Sequence, residues 1–361
     1  MTKMIKMSLV AAVAVAGFTT SASAMDTSYT GKLYVENHAT TVKDTQTVTG
    51  YDIDFDVKAT TKINDNFTAI VGIQADADRK DDKSAKGKEA TVDKNGAIVV
   101  TDKKEEVTGS AVTMDKANLN YANNGFTLKF GRQGINTPTT DGETGEGVLA
   151  TYAVAKGITL AAAHFGNNKI ADTDAHALAV LGSVSGVNFQ LWNVGVAGVV
   201  ENNTISASTT VEGIALGARY AMSDFDTAGV ADGKTAIVTV GGKVSDVSLS
   251  FAYLVNGSGN AAFTTDASSA NTAELVKFSA QNTADVKAFI IGASAPVSDT
   301  MSASLKYGSA DVGSASISEV VAQLNNNFAK NLTGSVRYAA YSGLTSASDQ
   351  TQMRADLKYS F

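Results

Sequence analysis

The chain has 361 residues with 36 acidic and 29 basic side chains, a formal charge of −7. That balance argues against a nucleic-acid surface, which needs basic stripes. No cysteine is present, so no disulfide holds the fold. Past the first residues, no apolar run approaches the eighteen that a spanning helix needs.

The chain opens with Lys3 and Lys6, then a short apolar run over 9–18, then Ala22-Ser23-Ala24. This is the layout of a secretory signal peptide, with cleavage expected between Ala24 and Met25. Residues 1–24 are thus expected to be removed, leaving 25–361 as the mature protein. Their loss takes away two lysines and no acid, so 29 − 2 = 27 bases face 36 acids, a net of −9. No cysteine follows the cleavage site, which excludes a lipid-anchored lipoprotein.

The next feature is a two-faced ribbon. In YDIDFDVKA, Tyr51, Ile53, Phe55, Val57 and Ala59 fall on one side of a strand. Asp52, Asp54, Asp56 and Lys58 fall on the other. The same alternation returns at 67–76, 126–131, 247–255, 301–307, 332–340 and 353–361. Strands are expected near 28–38, 47–61, 67–77, 111–122, 126–133, 148–155, 158–166, 174–184, 187–197, 204–211, 214–223, 235–244, 247–255, 286–295, 300–309, 318–328, 332–342 and 352–361. That makes eighteen, or sixteen if 198–211 is one long loop. Short turns such as Asn124-Gly125 and Ser185-Gly186 alternate with long polar stretches such as 78–109 and 256–285. Short turns on one rim and long loops on the other suit a transmembrane antiparallel β-barrel. Lipid leaves an open sheet edge unsatisfied, so the barrel must close. At sixteen to eighteen strands it would enclose water.

Alternation also sorts the side chains. Tyr51, Phe55, Phe67, Phe126, Phe130, Tyr253, Tyr307, Tyr338, Tyr359 and Phe361 fall on the expected lipid face. Asp52, Asp54, Asp56, Lys58, Lys129, Lys306, Arg337, Arg354 and Lys358 fall on the expected inner wall. Arg132 would point to lipid by strict parity from Phe130. The preferred reading is that the strand has ended and Arg132 reaches water near a loop root. His38, His164 and His176 show no ligand spacing, and 182–186 has valine where a nucleophile elbow needs serine. Asp93-Lys94-Asn95-Gly96 and Asp172-Thr173-Asp174 complete no calcium loop. With no nucleophile–base pair, an enzyme is not expected.

Several blocks, in order, carry a resemblance. They are MIKMSLVAAVAVAGF near the start, INDNFTAIVGIQADAD at 63–78, ANLNYANNGFTLKFGRQGIN at 117–136, DGETGEGVLATYAVAKGITLAAAHF at 141–165, FQLW at 189–192 and MRADLKYSF at 353–361. The chain resembles the major outer-membrane porins of Campylobacter and its relatives. The last block, with Tyr359 and Phe361, looks like the terminal strand that the barrel-assembly machinery reads.

The resemblance implies an outer-membrane location, a homotrimer and a third loop, 134–147, folded into the pore. That loop would set an acidic constriction with Asp141, Glu143 and Glu146. A divalent cation there is the one cofactor the reading allows. The wall opposite would be basic, with Lys129, Lys306, Arg337, Arg354 and Lys358, and Arg132 near the loop root. The implied function is a general diffusion porin for ions and small hydrophilic solutes, mildly cation-selective. The competing reading is a surface adhesin or structural barrel acting through long loops such as 78–109, where Lys80, Asp81, Asp82, Lys83, Glu105 and Glu106 mix charges.

Overall fold

The computed structural model describes residues 26–43, 47–81, 88–92, 98–102, 111–140, 142–168, 170–171, 173–265, 275–280, 283–313, 315–345 and 348–361, with the backbone alone between 77 and 111. The expected signal peptide and its cleavage site, Asp141, Asp172, Asp82, Lys83, Glu105, Glu106 and the 93–96 turn lie outside the described residues. The strands are β1 (Asp26–Val42), β2 (Thr47–Lys62), β3 (Phe67–Asp81), β4 (Lys88–Val92), β5 (Ile98–Asp102), β6 (Ala111–Asn123), β7 (Phe126–Gly134), β8 (Thr144–Ala155), β9 (Ile158–Asn168) and β10 (Ala175–Val184). They continue as β11 (Val187–Val196), β12 (Val200–Val211), β13 (Ile214–Phe225), β14 (Gly233–Val244), β15 (Val247–Asn256), β16 (Val286–Pro296), β17 (Met301–Val312), β18 (Ala315–Ala329), β19 (Leu332–Ser342) and β20 (Gln350–Ser360).

Eighteen of these strands form one antiparallel sheet in which each pairs with its chain neighbours. β1 also pairs with β20, from Lys32 opposite Ser360 to Val42 opposite Gln350, and this closes the barrel. The eighteen strands match the expected ones in order. β12 and β13 pair along their full length through the turn at Glu212-Gly213, which rules out the sixteen-strand alternative. β4 and β5 were not expected: among the described residues they pair only with each other, as a hairpin within the connection from β3 to β6.

On one rim every connection between the barrel strands is tight. Asn124-Gly125, Ser185-Gly186 and Glu212-Gly213 each carry two successive positive φ values, between 47° and 82°. That is the turn twist that matches two antiparallel strands without splaying them. The long connections all fall on the other rim.

Register fixes which residues share a face. Leu33, Phe55 and Tyr359 are cross-strand partners, as are Val35, Ile53 and Leu357. The same face carries exposed Leu119, Phe130, Leu178, Leu191, Ile205, Tyr220, Val238, Phe251, Tyr253, Ile291, Leu305, Val336, Tyr338 and Met353. A belt of large apolar side chains left exposed around a whole sheet has lipid as its natural solvent. Aromatic rings cluster on this face near the short-turn rim: Phe67 and Tyr121 are 5.0 Å apart, and Tyr121 and Phe126 are 6.3 Å apart.

The inner face is not uniform. Over β14–β18 it carries Ile237, Leu254, Val286, Ala288, Ala310 and Ile317, all buried with Phe278 and Ala280 of the connection after β15. Over β9–β12 it carries Phe165, Ala175, Val196 and Val200, buried with Ile135. Over β19, β20, β1, β2 and β3 it is charged instead. The apolar sectors are where loops rest on the wall.

Candidate functional site

Among the described residues, two connections on the long-loop rim hydrogen-bond to inner-face side chains of distant strands. The first, 135–143, follows β7. Ile135 N donates to Glu143 O at 2.8 Å, which closes the base of this loop. Thr137, Thr139 and Thr140 are buried, and Thr140 Oγ1 donates to Ile135 O at 3.0 Å. Arg219, on the inner face of β13, donates from Nη1 to Pro138 O at 3.0 Å. Beside this contact is a cavity of about 410 Å³ lined by Asn136, Pro138, Gln190, Trp192, Arg219 and Thr239, among others.

The second connection, 257–285, follows β15. Phe278 is 1 % exposed in the inner cluster, and Glu319 of β18 accepts from its backbone. Asn256 Nδ2 donates to Ala280 O at 2.6 Å and to Thr283 O at 2.9 Å. Gly308 of β17 faces this loop, and a Cβ there would lie 3.0 Å from Leu275 and 3.4 Å from Phe278. The two loops meet: Thr265 N donates to Thr139 O at 2.8 Å. By sequence, 256–285 is expected only as a long polar connection. The signal that could have singled it out is the apolar pair Leu275 and Phe278 within a polar stretch.

The charged sector lies on the paired inner rows of β19, β20, β1, β2 and β3. Arg354 makes ion pairs with Glu36 (Nη1–Oε2, 2.9 Å) and Asp356 (Nε–Oδ1, 2.6 Å), and donates to Tyr34 Oη as well. Tyr34 Oη donates to Asp356 Oδ1 at 2.7 Å, and Ser335 Oγ to its Oδ2 at 2.8 Å. Arg337 stands opposite Arg354 and donates to Gln352 Oε1 at 3.1 Å. Lys32 pairs with Asp56 at 2.7 Å. Asp54 is opposite Asp76 on β3 and opposite Tyr34 on β1.

Alternation and register thus place Asp52, Asp54, Asp56, Lys58, Lys129, Lys306, Arg337, Arg354 and Lys358 on the inner face. They are not gathered in one ring. Lys129 is on β7 and Lys306 on β17, where it is opposite Gly292 and Val321. Tyr34, Glu36, Asp76, Arg219 and Glu319 are not singled out by sequence, and His38 looks isolated there, because their partners are set by register and loop folding.

Two expectations at the third loop need correction. The loop is shorter than 134–147, because Thr144 to Gly147 pair with β7 as the start of β8. Glu146 therefore leaves the loop. It stands opposite Arg132 and binds it, Nη1 to Oε1, at 2.9 Å. β7 has not ended at Arg132 but continues to Gly134. Gly131, at φ 115°, distorts the strand just before it. Arg132 is held by this pair, so it is not a lone base at a loop root. Glu143 is half-buried and its backbone carbonyl closes the loop.

No protein-family model matches the chain, and no curated protein sequence does. Solved structures do. OccK9 (OpdG) of Pseudomonas aeruginosa superposes with a TM-score of 0.72 at 15 % identity, over 93 % of this chain and 98 % of that one. OccAB3 of Acinetobacter baumannii gives 0.71 at 10 % identity, over 93 % and 99 %. OpdK of P. aeruginosa, solved with vanillate, gives 0.70 at 12 % identity, over 92 % and 98 %. The fold is that of outer-membrane porin structures. At these identities the likeness extends to the closed eighteen-stranded transmembrane barrel and no further.

Proposed function

We infer that the protein is an outer-membrane porin, a water-filled channel for ions and small hydrophilic solutes with mild cation preference. The carrying observation is the contrast of its two faces: a continuous exposed apolar belt outside, and ion-paired carboxylates and guanidiniums inside a closed barrel. Charges on that scale inside a wall of this size call for water. A channel of this kind needs no catalytic group; its selectivity is the width and field of its narrowest part.

The third loop, 135–143, enters the lumen in this reading, supported by the contact of Pro138 with the inner-face Arg219. The loop 257–285 narrows the lumen from the same side. Solutes then pass between these loops and the charged sector of β19–β3. Glu36, Asp52, Asp54, Asp56 and Asp76 crowd that sector and favour cations. Lys58, Lys129, Lys306, Lys358 and the two arginines line the wall as well, so the preference is mild. The acidic loop residues Asp141 and Glu143 add to the same sign.

Kinship with the Campylobacter-type porins rests on the ordered sequence blocks; the solved barrels named above come from Pseudomonas and Acinetobacter. With that kinship go a homotrimer, export through residues 1–24 with cleavage at Ala24/Met25, and reading of Tyr359 and Phe361 by the barrel-assembly machinery. The test is single-channel recording of refolded protein in a planar bilayer with a salt gradient. Ohmic steps and a modest cation-side reversal potential are expected. Absence of conductance from folded barrels would overturn the channel reading; anion preference would overturn its selectivity.

A further inference from the structure

Three side chains that show no ligand spacing in the sequence meet on the inner wall. Glu36 and His38 are two apart on β1 and share its inner face, and Asp52 stands directly opposite Glu36 on β2. One donor atom from each lies within 4.8 Å of the others. His38 Nδ1 is 3.3 Å from Glu36 Oε1 and 3.8 Å from Asp52 Oδ2. That nitrogen is buried, yet it makes no hydrogen bond among the described residues.

Glu36 is 8 % exposed. Its Oε2 is taken by Arg354, with the Tyr34 hydroxyl oxygen 3.3 Å away, which leaves Oε1 turned toward the imidazole. A tetrahedral ion with bonds of about 2.0–2.2 Å to nitrogen and oxygen sets its donor atoms roughly 3.3–3.6 Å apart. The two distances from Nδ1 lie close to that spacing. The register partner of His38 on β2 is Gly50, which has no side chain to crowd the ring. The local charge also fits: Glu36, Asp52, Asp54 and Asp356 outnumber Arg337 and Arg354 by two.

We propose that Glu36, His38 and Asp52 bind a first-row divalent transition-metal cation on the inner wall. The imidazole is what selects the class. Calcium and magnesium take all-oxygen shells, whereas an imidazole with carboxylates suits zinc, copper or nickel. Three protein ligands leave the remaining position to water on the lumen side. Arg354 acts as a positioning residue: by holding Oε2 it aims Oε1 at the metal position. The site is separate from the acidic loop 135–143, and it does not depend on conduction.

The test uses the full chain refolded in detergent, stripped of metal with chelator and titrated calorimetrically with Zn2+ and, separately, with Ca2+. The expected result is one Zn2+ per chain, Ca2+ binding far more weakly, and an affinity for Zn2+ reduced about tenfold or more in His38→Ala and in Asp52→Asn. Folding of each variant is checked by heat-dependent gel mobility. Co2+ added to the unmodified protein gives a readout that needs no variant: intense visible bands of a low-coordinate nitrogen–oxygen site are expected. No Zn2+ binding, equal affinity in both folded variants, or only the spectrum of hydrated Co2+ would each overturn the proposal. Conductance is recorded apart from this. Conducting barrels that bind no Zn2+ remove the metal site alone; barrels that bind Zn2+ without conducting remove the channel reading alone.

Discussion

The backbone nitrogen of Phe278 lies 2.7 Å from Oε2 of Glu319, and that of Lys277 lies 2.9 Å from the same oxygen. One carboxylate, 1 % exposed, thus pins a loop to the inner wall from β18. Removing it in Glu319→Ala deletes two charge-assisted bonds, each worth about 1.5–3 kcal/mol. The loop 257–285 is then expected to leave the wall. Single-channel conductance should rise, and trypsin should cut after Lys277 faster than in the parent protein. Unchanged conductance together with unchanged cleavage would show that the apolar seat of Phe278 holds the loop alone.

Arg354 bonds Glu36, Asp356 and Tyr34 at once. Arg354→Gln leaves two carboxylates without their shared cation. Breaking a fully buried pair costs about 3–5 kcal/mol, and the 24 % exposure of the Arg354 side chain reduces this to about 1–3 kcal/mol. The loss should appear as a lower urea midpoint in detergent. The reversal potential should move further toward the cation side, because the wall has lost a positive charge.

Gly131 sits at φ 115°, and a Cβ there would lie 2.3 Å from the carbonyl oxygen of Ala117. Neither the conformation nor the space admits a side chain. Gly131→Ala should cost about 1–3 kcal/mol and lower the fraction of heat-modifiable barrel after refolding. A normal folded yield would mean that β7 can relax without losing its pairing to β6.

At the seam, Gly31 and Phe361 exchange backbone hydrogen bonds of 2.8 and 3.1 Å. The Phe361 ring lies over Gly31, stacked with Phe55 and Tyr359 at centroid distances of 6.2 and 6.1 Å. A Cβ at Gly31 would stand 2.5 Å from that ring and 2.5 Å from Asp56 O. Gly31→Ala should therefore destabilise the closed form by about 1–3 kcal/mol, read as a lower melting temperature of the compact gel band. An unshifted band would show that the ring swings aside freely.

The barrel was legible because its physics repeats. A two-residue period with tight turns fixes each strand and its facing, so Asp54, Lys306 and Arg354 could be placed from parity alone. Exceptions to that period carried what was missed. Over 236–238 both faces are apolar: Val238 sits outside, while Ile237 turns inward to pack with Phe278. Local sequence does not say that an inward isoleucine is waiting for a loop far along the chain. Arg132 was misread for a related reason. Its partner, Glu146, belongs to a strand start that glycines at 142, 145 and 147 made look like loop. His38 looked isolated because one of its neighbours, Asp52, is brought alongside only by the β1–β2 register.

Pairing β1 with β20 makes the first and last staves of the cylinder adjacent, though some three hundred residues separate them along the polypeptide. Until the final stave arrives, both borders of the growing ribbon display unbonded amides and carbonyls. Contacts so remote in order form slowly. Newly made chains must therefore be shielded from one another while they wait, which gives an escort in transit a physical task that the finished molecule no longer displays.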